Sequence, residues 1–265
     1  MRTFLLLLVC LQCVFFVESV SAQDAGSSVN IDRQALIQRE IELQKARLNS
    51  SSSEERLNAV LRLGWLKDVE ASRAATIALR DSETLVRVAA INAIQSLPSN
   101  ESINYLLPLL DDKTEIIRQE TAYALGKSQN QNAVSKLLYL FNNKKEKPGV
   151  KGAVAFALGQ IGDKSAVPAL VQALQEKKKP NALVQSAAAR SLGLLKANEA
   201  TQLLISILSD EKAEADVRRE AAFALGEIRD ASAVSALNLA AKSNDPYLAK
   251  TASESLKAIN TKTIQ

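Results

Sequence analysis

Few residues of this 265-residue chain could do acid–base, nucleophilic or metal chemistry, because the sequence contains no histidine and two cysteines. Cys10 and Cys13 both lie in an apolar N-terminal run that we expect the mature protein to lose. Without imidazole or thiolate, any catalysis would rest on carboxylates, lysine, tyrosine or hydroxyl groups. The paired acids at 111–112 and 210–211 show no calcium-ligand spacing, and helix-end electrostatics account for them. We therefore expect no catalytic residue, no metal site and no cofactor.

The N-terminal segment has the pattern of a secretory signal peptide. One positive charge precedes the apolar run from Thr3 to Val17, and small residues follow up to Ala22. Fifteen apolar residues fall short of the ~20 that a membrane-spanning helix needs, so an uncleaved anchor is the weaker alternative. The sequence predicts a signal peptide over 1–22, a mature chain without a transmembrane segment, and export to the periplasm or the medium.

A period of 31 to 34 residues organises the chain between residues 54 and 260. The period is indexed on a column of five glycines: Gly64, Gly126, Gly159, Gly193 and Gly226. In the two units without a glycine, Gln95 and Lys257 occupy the same position. Aliphatic residues stand one and nine positions before this column, which is helical periodicity and not strand alternation. The apolar pattern resumes eight to fifteen positions after the column, so each unit is two helices joined by a short turn.

A two-helix unit cannot bury its apolar stripe alone, so units of this period stack on their neighbours. The prediction is an all-α protein, an α-solenoid of about six to seven two-helix repeats with terminal capping helices. Residues 23–53 are assigned to a linker and an N-terminal capping helix, which a serine tract ends, and residues 54–265 to the solenoid. A single helix from Asp245 onward is expected to close the stack.

Two stretches carry a resemblance to a known family. One runs from Val217 to Asp230 and reads VRREAAFALGEIRD, and the other reads GQIGD from Gly159, with AVPAL from Ala166. Both are similar to HEAT repeats of the phycobilin-lyase type, and the resemblance covers about six and a half repeats. It implies an armadillo-like α-solenoid, whereas the same repeat serves many unrelated functions.

Two classes of enzyme contain repeats of the kind that this chain resembles. A bilin lyase-like protein that handles a cofactor is an alternative function, although export and the lack of cysteine and histidine in residues 23–265 argue against it. Deoxyhypusine hydroxylase, which the resemblance associates with iron held by His-Glu dyads, has no counterpart ligands in a chain without histidine. We therefore expect the chain not to be an enzyme, with lyase-like activity as the remaining exception.

Basic residues recur eight positions before the glycine column: Arg56, Arg87, Arg118, Lys151 and Arg218. In HEAT-like solenoids the equivalent residue joins a ladder of polar contacts between repeats, for which Asp81, Asp112 and Asp245 could supply the acids here. Repetition at one offset favours this structural ladder over the alternative, a groove that binds anions.

Large or charged residues stand three positions before the column on four consecutive units: Tyr123, Phe156, Arg190 and Phe223. This position lies about 140° from the centre of the apolar stripe, so it points away from the core. By the resemblance, the first helix of each unit lines the concave side of the solenoid. Aromatic and arginine side chains anchor interfaces, so we expect a strip that binds a partner. The alternative is that the rings fold back over neighbouring alanines.

Lysine runs occupy two corresponding loops, one repeat apart, and we expect them to form a basic edge: Lys144, Lys145, Lys147, Lys177, Lys178 and Lys179. Such an edge could attract an acidic protein, an anionic lipid or nucleic acid, while simple solvation of loop lysines is the alternative. Export and a net charge of only +4 disfavour nucleic acid.

The function expected from the sequence is a non-catalytic, exported protein-protein interaction scaffold that binds a protein or peptide on its concave face. The alternatives are the bilin lyase-like protein and a structural component of a cell-envelope assembly. We expect a monomer.

Overall fold

The computed structural model describes residues 28–177 and 180–262. The chain divides into two compact units, Met1–Leu43 and Gln44–Gln265. The first unit is described from Ser28, where helix α1 (Ser28–Arg47) begins. The expected signal peptide lies outside the described residues, and the capping role of residues 23–53 stays a prediction.

Six helical hairpins and a last helix form the second unit, and the described residues of the chain contain no β-strand. The hairpins are α2 (Ser53–Trp65) with α3 (Val69–Ala75), α4 (Thr84–Ala93) with α5 (Ser99–Leu106), α6 (Glu115–Ser128) with α7 (Val134–Asn142), α8 (Pro148–Ile161) with α9 (Val167–Gln175), α10 (Ala182–Leu194) with α11 (Thr201–Ser209), and α12 (Ala215–Ile228) with α13 (Val234–Ala240). Helix α14 (Pro246–Lys262) follows and is the last helix of the part of the chain that the structure describes. The prediction of an all-α repeat solenoid is confirmed.

Each hairpin turn contains a short 3₁₀ segment or a residue in the left-handed region of backbone space. Three positions after the glycine column, φ is positive at five residues: Lys67, Gln129, Gly162, Lys196 and Arg229. A side chain in the turn then caps the next element, as when the Asp163 carboxylate accepts a hydrogen bond from the Ser165 amide. These two features end the first helix and begin the second.

Consecutive hairpins pack through their first helices. Helix α6 packs on α8, α8 on α10, α10 on α12 and α12 on α14, and each second helix also contacts the first helix of the next hairpin. The aliphatic residues one position before the column are fully buried in six repeats: Leu63, Ile94, Leu125, Leu158, Leu192 and Leu225. The core is therefore continuous along the stack, as expected for units that stabilise one another.

The glycine column lies where consecutive first helices cross. A methyl group added at Gly193 would lie 2.6 Å from the Cα atom of Ala224, and one at Gly126 would lie 2.7 Å from the Cα atom of Ala157. Where α8 crosses α10, the Ser191 hydroxyl donates a 2.8 Å hydrogen bond to the backbone carbonyl of Ala155. At Gly126 and Gly193 the crossing therefore leaves room only for a hydrogen, because a methyl group would overlap a Cα atom of the opposing backbone.

Candidate interaction surface on the first helices

The four residues of the expected strip lie on four consecutive first helices. Tyr123 is 38% exposed, and Phe156, Arg190 and Phe223 are half-buried, so none belongs to the buried core. The rings of Tyr123 and Phe156 meet edge to face, with centroids 6.0 Å apart and planes at 68°. The guanidinium carbon of Arg190 lies 4.6 Å from the centroid of Phe223. The strip is thus two contacting pairs and not four isolated side chains.

The first of two neighbouring grooves is mostly apolar. We call it the apolar groove, of about 280 Å³, lined by Tyr123, Gly152, Phe156, Leu183, Ser186, Ala187, Arg190 and Glu220. Leu183 is 54% exposed, and a methyl group at Gly152 would lie 3.2 Å from its Cγ atom. Leu183 therefore packs directly against Gly152, and the exposed part of its side chain forms one wall of the groove.

The second groove carries charge. We call it the charged groove, of about 450 Å³, lined by Ser186, Arg190, Asp216, Arg219, Glu220, Phe223, Tyr247, Thr251 and Glu254. It shares Ser186, Arg190 and Glu220 with the apolar groove. The two grooves are therefore adjacent, and together their lining residues extend across the helices from α6 to α14.

Of the nine residues that line the charged groove, Arg190 and Phe223 were predicted as site residues, and the other seven, which include Arg219 and Tyr247, were not. The ring of Tyr247 is 69% exposed, and the guanidinium carbon of Arg219 lies 5.6 Å from its centroid. This repeats the stacking of Arg190 on Phe223 one helix further along. The available signal was helical spacing, because Tyr247 stands seven residues before Glu254 and so shares its helix face.

Both arginines of the charged groove are paired with carboxylates. Arg190 Nε lies 3.0 Å from Glu220 Oε2. Arg219 Nη2 lies 2.9 Å from Asp216 Oδ1, while its Nε lies 3.5 Å from Asp245 Oδ2. The pairs hold each guanidinium over its ring, so the groove is a preformed surface of rings, cations and acids.

The basic residues of the expected ladder contact backbone carbonyls and acids near the hairpin ends. Arg56 donates two hydrogen bonds to Asp81, with Nε–Oδ2 2.6 Å and Nη2–Oδ1 2.8 Å. These hydrogen bonds lower the pKa of Asp81 against the opposing effect of its burial. Arg87 Nη1 donates to the Asp81 carbonyl at 2.8 Å, and its Nε lies 3.7 Å from Asp112 Oδ2.

Arg118 continues this arrangement with a glutamate that the sequence argument did not name. It donates two hydrogen bonds to Glu146, at 2.6 and 3.0 Å, and one to the Asp112 carbonyl at 2.8 Å. Burial raises the pKa of Glu146, but the hydrogen bonds from Arg118 and the Lys147 amide outweigh it and lower that pKa. Burial also lowers the pKa of Lys151, with Glu146 acting in the opposite direction.

Asp245, one of the acids considered for the ladder, does not pair with the ladder residue Arg218. Arg218 Nε instead donates to the Leu208 carbonyl at 3.1 Å, and Asp245 lies beside Arg219. The reason is register, because Asp245 stands twelve residues before its column position whereas Asp81 and Asp112 stand fourteen before theirs. Asp245 also accepts the Tyr247 amide, which fixes it at the start of α14.

The lysine edge is described only in part. Lys144, Lys145 and Lys147 are exposed between α7 and α8, and Lys177 is exposed after α9. Lys178 and Lys179 lie outside the described residues, so the basic edge stays a prediction.

Neither a metal cluster nor a membrane-spanning helix occurs in the described segments. Within residues 28–177 and 180–262, no group of three or more His, Cys, Asp or Glu residues could hold a metal ion. No helix of those same segments is long and apolar enough to cross a bilayer.

Comparisons with known proteins identify both the repeat and a group of enzymes. Deoxyhypusine hydroxylase of Saccharomyces cerevisiae is 32% identical over 79 residues, which are 29% of this chain and 24% of that protein. Deoxyhypusine hydroxylase-B of Oryza sativa subsp. japonica is 28% identical over 119 residues, 44% of this chain and 38% of that protein. The chain thus spans less than half the length of these curated relatives.

A solved structure of similar architecture is the complex of CpcE and CpcF of phycocyanin lyase from Nostoc sp. PCC7120. It is 22% identical with a TM-score of 0.56, and the superposition covers 92% of this chain and 98% of that one. Similarity at this level of identity shows a shared fold.

These relatives contradict the prediction that the chain is not an enzyme, because the matched curated proteins are enzymes and point to enzymatic activity. The same finding contradicts the prediction that the scaffold is non-catalytic. The His-Glu dyads that the resemblance attaches to the iron of this enzyme do not fit the chain, which has no histidine. A reaction catalysed by this protein would have to use other side chains.

The sequence profile of HEAT repeats matches four overlapping segments, residues 41–126, 73–147, 134–215 and 210–265. Together they run from residue 41 to residue 265, which includes every helix of the two grooves. The chain therefore belongs to the HEAT-repeat family.

Proposed function

We propose that this protein is an interaction scaffold that binds a protein or peptide segment along the surface of its first helices. The observation that carries the proposal is the pair of adjacent grooves that share Arg190 and Glu220. By the resemblance to HEAT repeats, we propose that this surface is the concave one. Binding on it is compatible with catalysis, since an enzyme that acts on a protein also needs such a surface.

The composition of the grooves supports this proposal. Exposed aromatic and arginine side chains are the types that contribute most to binding energy at interfaces. Here Tyr123, Phe156 and Phe223 are held by ring or guanidinium contacts before a partner arrives. Such preorganisation reduces the entropy that binding would otherwise cost.

The test is capture of partners by two sets of variants. A triple variant, Tyr123→Ala, Phe156→Ala and Phe223→Ala, is expected to lose the partners that the wild-type protein captures from its source extract. The control is Tyr139→Ala with Leu239→Ala, two side chains that are 70% and 72% exposed on second helices. Circular dichroism confirms that both remain helical. If the triple variant captures the same partners at the same yield, the proposal is wrong.

Export is part of the proposal and has its own test. We propose that residues 1–22 are removed, so the mature chain begins at Gln23. N-terminal sequencing of the protein from its native source is expected to start there. Recovery of a chain that still begins at Met1 would contradict both the proposed cleavage and the proposed export.

Enzymatic activity is a second candidate function, favoured by the identity of the curated relatives. The assay is incubation of the purified protein with a deoxyhypusine-containing protein, oxygen and a reductant, followed by mass spectrometry. This function predicts the gain of one oxygen atom on the substrate. If the mass of the substrate protein stays unchanged during an incubation in which a positive-control enzyme completes many turnovers, this reaction is excluded.

A further inference from the structure

The residues that line the charged groove carry more acid than base, in a chain whose net charge is +4. The acids of the groove are Asp216, Glu220 and Glu254, and its bases are Arg190 and Arg219. Three acids against two bases leave the lining of this groove with a net charge of −1.

The acids of the charged groove include the side chains most open to a partner. The side chains of Asp216 and Glu254 are 73% and 63% exposed, whereas those of Arg190 and Arg219 are 39% and 32% exposed. Each arginine has one side covered by a ring. Lys250 is 76% exposed and its ammonium group lies 4.0 Å from Glu254, but Lys250 does not line the groove. Among the charged residues that do line it, the carboxylates of Asp216 and Glu254 are more exposed than the two guanidinium groups.

The apolar groove lies a fixed distance from the rim that these two carboxylates form. It is centred between α8 and α10, whereas the charged groove is centred on α12. Neighbouring helices lie about 8–10 Å apart, so the centres are about 12–15 Å apart. An extended chain covers this distance with about four residues.

We propose that the partner is an extended peptide segment that places an apolar side chain in the apolar groove. A lysine or arginine about four residues away then lies against Asp216 and Glu254. The inference rests on the proposed function and adds the chemistry of the partner. Exposed carboxylates attract a cation at the rim and repel an acidic segment. The apolar anchor supplies affinity through burial, and the charges supply selectivity.

The probe is a pair of fluorescein-labelled glycine-serine peptides. One carries a phenylalanine and, four residues away, an arginine, and the other has glutamate in place of the arginine. Fluorescence anisotropy at low ionic strength is expected to show about tenfold tighter binding of the arginine peptide. The difference should shrink as salt is added, because the carboxylates are exposed.

A charge variant tests whether the rim causes the preference. The double variant Asp216→Asn with Glu254→Gln is expected to bind the two peptides within about twofold of each other. The control Glu211→Gln changes an exposed loop acid that does not line either groove, and it should keep the preference. Thermal unfolding of all three proteins confirms that they are folded.

Three results would overturn the inference: binding of neither peptide, equal binding of both, or tighter binding of the glutamate peptide. The last result would mean that the donors of Arg190 and Arg219 select carboxylates. The proposed function is judged separately by partner capture. If the aromatic triple variant loses its partners while the double charge variant keeps them, the scaffold proposal stands and the partner chemistry is wrong. If neither variant loses partners, both fail.

Discussion

Replacement of Gly193 by alanine should destabilise the protein, although alanine is the better helix former. At an exposed helix position this change would stabilise by about 1 kcal/mol. Here the new methyl group would lie 2.6 Å from Ala224 Cα and 2.9 Å from Ala224 Cβ. Because the opposing Cα belongs to a backbone, only a shift of α10 against α12 can relieve the overlap.

The cost follows from what that shift disturbs. Leu192 and Leu225 are fully buried beside the crossing, and both would lose contacts if the helices moved apart. Overpacking of this kind costs about 1–3 kcal/mol, which includes the forced displacement of the backbone. We expect a net loss near 2 kcal/mol, which for a domain of this size lowers Tm by about 4–8 °C.

The assay is urea unfolding followed by circular dichroism, with Gly149→Ala as the matched control. Gly149 is also a first-helix glycine, but a methyl group there meets only the flexible ends of Glu115 and Gln119, at 3.3 and 3.5 Å. The control should therefore be neutral or slightly stabilising. If Gly193→Ala is as stable as the wild type, the crossing is not limited by backbone contact and the reasoning fails.

Three further predictions concern the turns and the ladder. Arg229→Gly should stabilise by about 0.5–1 kcal/mol in urea unfolding, because φ is +59° at Arg229 and glycine adopts this conformation without a side-chain penalty. Arg118→Ala should lower the unfolding free energy by about 3 kcal/mol, because it leaves the Glu146 carboxylate, only 5% exposed, without its cation. Glu146→Gln in that background should recover part of the loss. Since the folded-state pKa values of Asp81 and Glu146 are lowered, the stability they provide is present above about pH 4 and lost as the pH falls through those lower values. Unfolding measured from pH 7 to pH 2 should show this decline, and a smaller one in Asp81→Asn.

The repeat and its core were predictable because they depend on local periodicity. The spacing between Leu158 and Leu192, and between Gly159 and Gly193, already defines the buried face of each first helix. The position of Phe156 outside the core followed from the same helical geometry. These features need no knowledge of how one repeat sits on the next.

The features that escaped prediction depend on contacts between repeats. Asp245 pairs with Arg219 because it stands two residues closer to its column position than Asp81 and Asp112 stand to theirs. The contact made by this carboxylate therefore depends on the register of α14. The stacking of Arg219 on Tyr247 joins residues on two different helices. Left-handed backbone at Gln129 and Arg229 carried no sequence signal, because neither residue is glycine. Lys178 and Lys179 remain predictions, since they lie outside the described residues.

The glycine crossings have a mechanical consequence. Where two backbones approach this closely without an intervening side-chain layer, the helices cannot be pressed closer together. The glycine crossings therefore set the spacing between neighbouring first helices, and with it the width of the grooves that those helices line.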